Sequence, residues 1–224
     1  VTKWRYGDAW EHYPIEPGEI WGVFPAGSRL AVHNIFDPLP PFMLSADMLF
    51  TDPPWTLGNI NSFYTKAGRS DHLESFGAFE DILFERIAQI GPAICYLEVG
   101  RQAVDGWQER LTALYPSVQR WDVVYYRKHP CCILRGGMAP QPFDFSGMDE
   151  ERVIGKAALI ESYSVLGDLC MGRGLVGLAA YGAGKPFVGT ELNKRRLAVL
   201  LSRLAQRGAD VGKYLDREGY DEQE

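Results

Sequence analysis

From Leu30 onward, short apolar runs alternate with stretches in which apolar positions recur every three or four residues, which predicts strands and helices in turn. The expected strands are 30–35, 47–51, 93–99, 121–126, 131–135, 164–169 and 186–190. Between them, 76–90 sets Phe76, Phe79, Leu83, Ile87 and Ile90 on one helical face, with Ser75 as its N-cap. Residues 102–114 do the same with Val104, Trp107, Leu111 and Leu114. A short helix starts at Leu175, and 192–207 lines up Leu197, Leu200, Leu201 and Leu204 before stopping at Gly208. This pattern predicts an α/β fold: a mostly parallel twisted sheet with helices on both faces. The runs 121–126 and 131–135 are joined only by Arg127-Lys128-His129-Pro130, too short for a helical crossover, so they are expected to pair as an antiparallel hairpin.

Three segments follow from the same reading. Residues 1–28, rich in aromatics, Pro and Gly without a sustained period, form an irregular or hairpin-forming cap; 29–212 form the α/β domain; 213–224 form a polar, frayed tail. The stretch 136–152 reads as the most mobile connection. At 224 residues with 46% apolar content, the chain is long enough for a core that needs neither disulfides nor a structural metal. Its four cysteines, Cys95, Cys131, Cys132 and Cys170, form no C-x-x-C pair, so no metal site is expected. No run approaches the ~18 apolar residues of a membrane span. The first residues lack a signal peptide's apolar stretch, and the expected location is cytoplasmic. With 23 basic and 29 acidic side chains the formal charge is −6, which argues against a general nucleic-acid coat protein.

Two constellations carry chemistry. Asp52-Pro53-Pro54-Trp55 follows the apolar run Met48-Leu49-Phe50 and therefore stands at the C-terminal end of a buried strand, the edge at which open α/β sheets bind ligands. The two prolines donate no backbone hydrogen bond and fix a rigid extended turn. A carboxylate, a rigid carbonyl and an aromatic face then suit a planar ring with an exocyclic amine: Asp52 and the Pro53 carbonyl take its two N–H groups and Trp55 stacks on its face.

The second constellation is a βαβ unit. Strand 164–169 leads into Gly172-Arg173-Gly174-Leu175-Val176-Gly177, then a helix, then strand 186–190 ending at Glu191. Glycines permit a tight turn and close backbone approach, and an acidic residue about twenty positions later can accept from both ribose hydroxyls. This predicts a nucleoside-containing cofactor. Dinucleotides and S-adenosylmethionine both fit that spacing; only the second gives D-P-P-W a use.

Together these motifs resemble the S-adenosylmethionine-dependent amino-methyltransferases that modify adenine N6 or cytosine N4 in nucleic acids, in the permuted class with D-P-P-[YW] ahead of the cofactor loop. The resemblance covers about 30–203 and implies a Rossmann-like methyltransferase fold for the 29–212 domain. It makes Asp52, Pro53, Pro54 and Trp55 the catalytic tetrad. It assigns Asp168, Gly172 and Gly174 to the methionine part of the cofactor, Glu191 to its ribose, Asn34 to its adenine, and Lys156 to a segment flanking it. Asp at the head of the tetrad favours adenine over cytosine. DNA is the expected partner, with RNA or single-stranded DNA as alternatives. The sequence departs from the family at Leu175 and Val176, where small hydroxyl residues are usual, and at Arg173. Its 136–152 segment is too short to read several base pairs, so specificity is expected to be low, to depend on a homodimer or to come from a specificity partner.

Lys66, Arg69, Arg127, Lys128, His129 and Arg135 are candidates for a phosphate track beside the tetrad, whereas Lys194, Arg195 and Arg196 read as ordinary exposed charges. Two rival classes stand beside methyl transfer to DNA: an NAD-dependent oxidoreductase, and a non-catalytic cofactor-binding subunit.

Overall fold

Apolar runs become strands and amphipathic stretches helices in a computed structural model that describes residues 6–126 and 128–214. The first half holds α1 (Tyr6–His12), β1 (Ile20–Phe24), β2 (Ser28–Val32), β3 (Met48–Thr51), α2 (Leu57–Lys66), α3 (Phe76–Ile90), β4 (Ile94–Gly100) and α4 (Val104–Leu114). The second holds β5 (Ser117–Tyr125), β6 (His129–Gly137), α5 (Glu150–Ile160), β7 (Leu166–Asp168), α6 (Leu175–Gly182), β8 (Phe187–Glu191), α7 (Lys194–Ala205) and β9 (Asp210–Lys213).

The strands form one sheet in the order β5-β6-β4-β3-β7-β8-β2-β1-β9. Its centre, from β4 to β2, is parallel. Antiparallel partners close both sides: β6 against β4 with β5 beyond, and β1 against β2 with β9 beyond. The central strands read as unbroken apolar runs because both of their faces are covered; β3 and β8 bury every residue. Alternation then sorts side chains between two cores. Met48 and Phe50 meet α5, α6 and α7 on one face, while Leu49 meets α2, α3 and α4 on the other.

The crossover from β3 to β4 thus runs over one face and that from β7 to β8 over the opposite face. The C-terminal ends of β3 and β7, neighbours in the sheet, form the switch point at which a ligand crevice opens. Asp52 and Asp168 stand there.

Several elements differ from the sequence expectation. The 1–28 stretch does form a hairpin, β1 pairing antiparallel with β2, but it belongs to the main sheet, and the stretch also supplies α1, which packs on Ala198 and Val199 of α7. The tail from 215 lies outside the described residues. Ser75 stands at the N-cap of α3 but makes no side-chain capping bond. The helix expected at 192–207 starts at Lys194, because Asn193 caps it by accepting from the Arg195 N–H.

The 136–152 stretch, expected to be mobile, is pinned. Phe145 is fully buried, its ring 5.0 Å from that of Trp121. Gly147 and Asp122 share a backbone bond, as do Val124 and Met148. Its last residues begin α5. The apolar anchors Phe143 and Phe145 are too few and too irregular to show a period, yet they are enough to fasten the chain.

Candidate active site

A cavity of about 490 Å³ opens at the switch point. Asp52, Pro53, Pro54 and Trp55 line it together with Asp168, Gly172, Glu191 and Asn34, so one cavity gathers both constellations. The tetrad leaves β3 directly. Its indole lies against Gly100 at the end of β4, where a Cβ would come within 3.2 Å of the ring. The Tyr125 ring meets it at 65°, with ring centroids 5.2 Å apart. Trp55 is thereby fixed as a cavity wall, and its indole N–H is buried without a hydrogen-bond partner.

Burial, and then the Glu150 carboxylate, push Asp52 up to about 7; the nearby Trp55 N–H and the Arg196 guanidinium pull the other way. Burial likewise raises Asp168 to about 7, opposed by the Cys170 N–H, which donates to Oδ1 at 3.0 Å. Glu191, also raised by burial, accepts from the Gly172 N–H at 2.6 Å and the Asn193 N–H at 2.8 Å. Each oxygen has one such bond, and a carboxylate can accept about four. Gly174 has a positive φ of 78°, and a Cβ there would strike Leu200 of α7, so the loop requires glycine at this point.

Also in the lining, the Asn34 carbonyl oxygen accepts from the Tyr64 O–H at 2.9 Å and the Phe36 N–H at 3.4 Å. Beside it, burial lowers the basicity of His33, and its Nε2 is buried without a partner.

Other expected residues fall elsewhere. Lys156 is on α5 with its ammonium 4.9 Å from the Phe143 ring, away from the cavity lining. Arg135 is no part of a phosphate track: it is buried and paired with Glu161 at 2.7 Å. The reason is strand direction. β6 runs against β4, so Arg135 faces Tyr96 at the opposite end of the strand from Gly100. Arg69 is paired with Asp71 over the Tyr64 ring, and Lys66 lies over Phe63. Lys128 and His129 are exposed at the turn of the hairpin, on the tetrad's edge of the sheet. Arg127 lies outside the described residues.

The sequence reading missed Glu98, Glu150, Tyr125, Tyr126 and Arg196, all of which line the cavity. Arg196, read as an exposed charge, lies 4.4 Å from the Phe63 ring centroid. Glu98 had a signal: a lone carboxylate inside the apolar run 93–99 is rare without a purpose. Among the described residues, no group of His, Cys, Asp and Glu could hold a metal ion, and no helix is long and apolar enough to cross a membrane.

Solved structures share this fold. M1.HpyAVI is similar over 78% of this chain and 97% of its own, with a TM-score of 0.52 and 15% identity. TTHA0409 from Thermus thermophilus, a candidate DNA modification methylase solved with S-adenosyl-L-methionine, is similar over 79% of this chain and 94% of its own (TM-score 0.53, 18% identity). PvuII DNA methyltransferase, cytosine-N4-specific, is similar over 82% and 89% (TM-score 0.50, 8% identity). No family model and no curated protein matches the sequence. The Rossmann-like fold implied by the motifs is therefore the fold of solved DNA methyltransferases.

Proposed function

We propose that this chain transfers a methyl group from S-adenosylmethionine to the exocyclic amine of a DNA base, adenine N6 in preference to cytosine N4. One observation carries the reading: the D-P-P-W strand end and the glycine loop with its acidic partner open into the same cavity, side by side at the switch point.

The residues fit the cofactor. Glu191 keeps acceptor capacity for a ribose diol beyond its two backbone bonds. Asn34 and the orphaned His33 Nε2 offer polar contacts for a purine. Gly172 and Gly174 let the backbone close on the remainder. When bound, S-adenosylmethionine supplies a sulfonium methyl whose C–S bond breaks as the amine nitrogen takes the carbon.

The chain's own groups make the amine reactive. Its lone pair is delocalised into the ring, so it is a poor nucleophile until the Asp52 carboxylate and the Pro53 carbonyl accept both N–H groups and favour a pyramidal nitrogen. Those acceptors strengthen as positive charge develops, and the wall of Trp55 aligns the ring. Asp52, raised to about 7, is poised to take the proton the nitrogen then releases. A base in a duplex must first be flipped out, at a cost of a few kcal/mol that stacking on Trp55 partly offsets.

Because 136–152 is fastened to the sheet and short, sequence reading falls to a second copy or a specificity partner. The test is incubation with labelled cofactor and duplex DNA, single-stranded DNA or RNA, followed by nucleoside mass spectrometry. N6-methyladenine in DNA is expected. N4-methylcytosine, or label in RNA, would select the alternatives, and absence of label on every polymer would overturn the reading.

A further inference from the structure

Three carboxyl groups crowd the amine-accepting side of the cavity, and only Asp52 has a role so far. Glu98 is 1% exposed. Thr51, the last residue of β3, pairs with Leu97, so Asp52 just beyond it and Glu98, the next residue of β4, emerge side by side. The Cys131 thiol donates to Glu98 Oε1 at 3.8 Å. Glu150, also 1% exposed, accepts the Tyr126 N–H at 3.0 Å through Oε2. Its Oε1 is buried with no hydrogen-bond partner, although the side chain lines the cavity. Leaving such an atom unsatisfied is unfavourable, and nothing in the described fold fills it.

Three adjacent buried carboxyls cannot all be ionised. Burial first, and then the Asp52 and Glu150 charges, hold Glu98 well above the usual carboxylate range; Cys131 opposes this and Asp149 adds to it. The remaining titratable neighbours, Cys131 and Tyr125, are themselves held neutral by burial. A carboxyl that keeps its proton presents an O–H donor beside a carbonyl acceptor. With both amine N–H groups taken by Asp52 and the Pro53 carbonyl, that O–H matches the remaining feature of an N=C–NH2 edge, the ring-nitrogen lone pair adjoining the amine. Adenine and cytosine carry this edge on their Watson–Crick side, whereas on that side guanine has a ring N–H beside its amine and uracil has no amine.

We propose that Glu98 is a specificity-determining residue, its protonated carboxyl donating to the ring nitrogen beside the amine held by Asp52 and Pro53, with the Glu150 carboxylate keeping that proton in place. The inference rests on the methyl-transfer reading for the identity of the site, but its test requires no transfer.

Equilibrium dialysis of the full chain with adenosine and 1-deazaadenosine, which lacks that ring nitrogen, in saturating S-adenosylhomocysteine to fill the cofactor half, reads the contact directly. Wild type should bind adenosine about tenfold more tightly, the value of one hydrogen bond of ~1.4 kcal/mol. Glu98→Ala should erase the difference. Glu98→Gln, whose amide mimics the protonated acid, should keep it, and should keep it at alkaline pH where wild type loses it. Equal binding of the two nucleosides by wild type, or no binding of either, overturns the role of Glu98, as does an undiminished preference in Glu98→Ala. A wild-type preference with no methyl label on any nucleic acid would instead overturn methyl transfer alone, and label without a preference would overturn the Glu98 contact alone.

Discussion

Burial raises Asp52 and Asp168 alike to about 7, but the two halves of the cavity differ in how they partner their carboxyl groups. At the ends of β7 and β8, Asp168 and Glu191 are bonded to the backbone N–H groups of Cys170, Gly172 and Asn193. At the ends of β3 and β4, Asp52 and Glu98 emerge side by side and share the cavity with Glu150, with the Cys131 thiol and the Tyr126 N–H as donors and one Glu150 oxygen unpartnered. The first half is shaped before any ligand arrives. The second carries electrostatic tension that a ligand with N–H groups would relieve, so on the proposed function recognition of the cofactor is preorganised and recognition of the base is driven by unmet acceptors.

The largest expected effect separates these halves. Asp52→Ala should lower methyl transfer by about 10³-fold while cofactor affinity, read by calorimetry, stays within about threefold; full activity in this variant would break the assignment of the tetrad. Glu191→Ala should do the converse, weakening cofactor binding about 10–100-fold through lost charged hydrogen bonds. If it instead left affinity unchanged, the preorganised half would be misplaced.

Next is pH. On the proposed function transfer needs Asp52 as the anion, and its carboxyl is raised to about 7. kcat/KM should therefore fall about tenfold per unit below pH 7 and level off above it, until Glu98 loses its proton. A flat profile from pH 5 to 8 would show that no raised carboxyl governs the step.

A smaller effect is expected for Trp55→Ala, about tenfold in KM for the polymer, from stacking of ~1–3 kcal/mol per base. The last is on stability. A carboxyl raised in the fold stabilises it below the unfolded value near pH 4, and that contribution is lost as pH rises through 7. At pH 8 Asp52→Asn, inactive, should therefore unfold about 10 °C higher than wild type, with no gain at pH 4. Equal gains at both pH values would mean that charge is not the source of the tension.

Much of the molecule was legible because its signals are local. Helix 76–90 and strand 47–51 show their periods within a single window, and the hairpin follows from the shortness of its turn. α2 was not legible: Gly58, Asn59 and Asn61 dilute its pattern, and it buries only Ile60 and Tyr64. It holds because Thr56 caps it, accepting from the Asn59 N–H, and because those two side chains reach the core. Arg135 and Arg196 were misread in opposite directions for one reason. A charge in a sequence does not state which end of a strand, or which side of a helix, faces the ligand.

The sequence by itself determined which chain segments can do chemistry. A carboxylate followed by two prolines and an indole, and glycines spaced before a strand that ends in Glu191, are covalent neighbours whose geometry is set within a few residues. Only the tertiary structure decided that these segments share one cavity, that Glu98 and Glu150 join Asp52 there, and that Arg135 does not. Those facts depend on strand order, direction and register, and they are fixed by burying two cores on the two faces of one sheet, a condition that no local window of the chain contains.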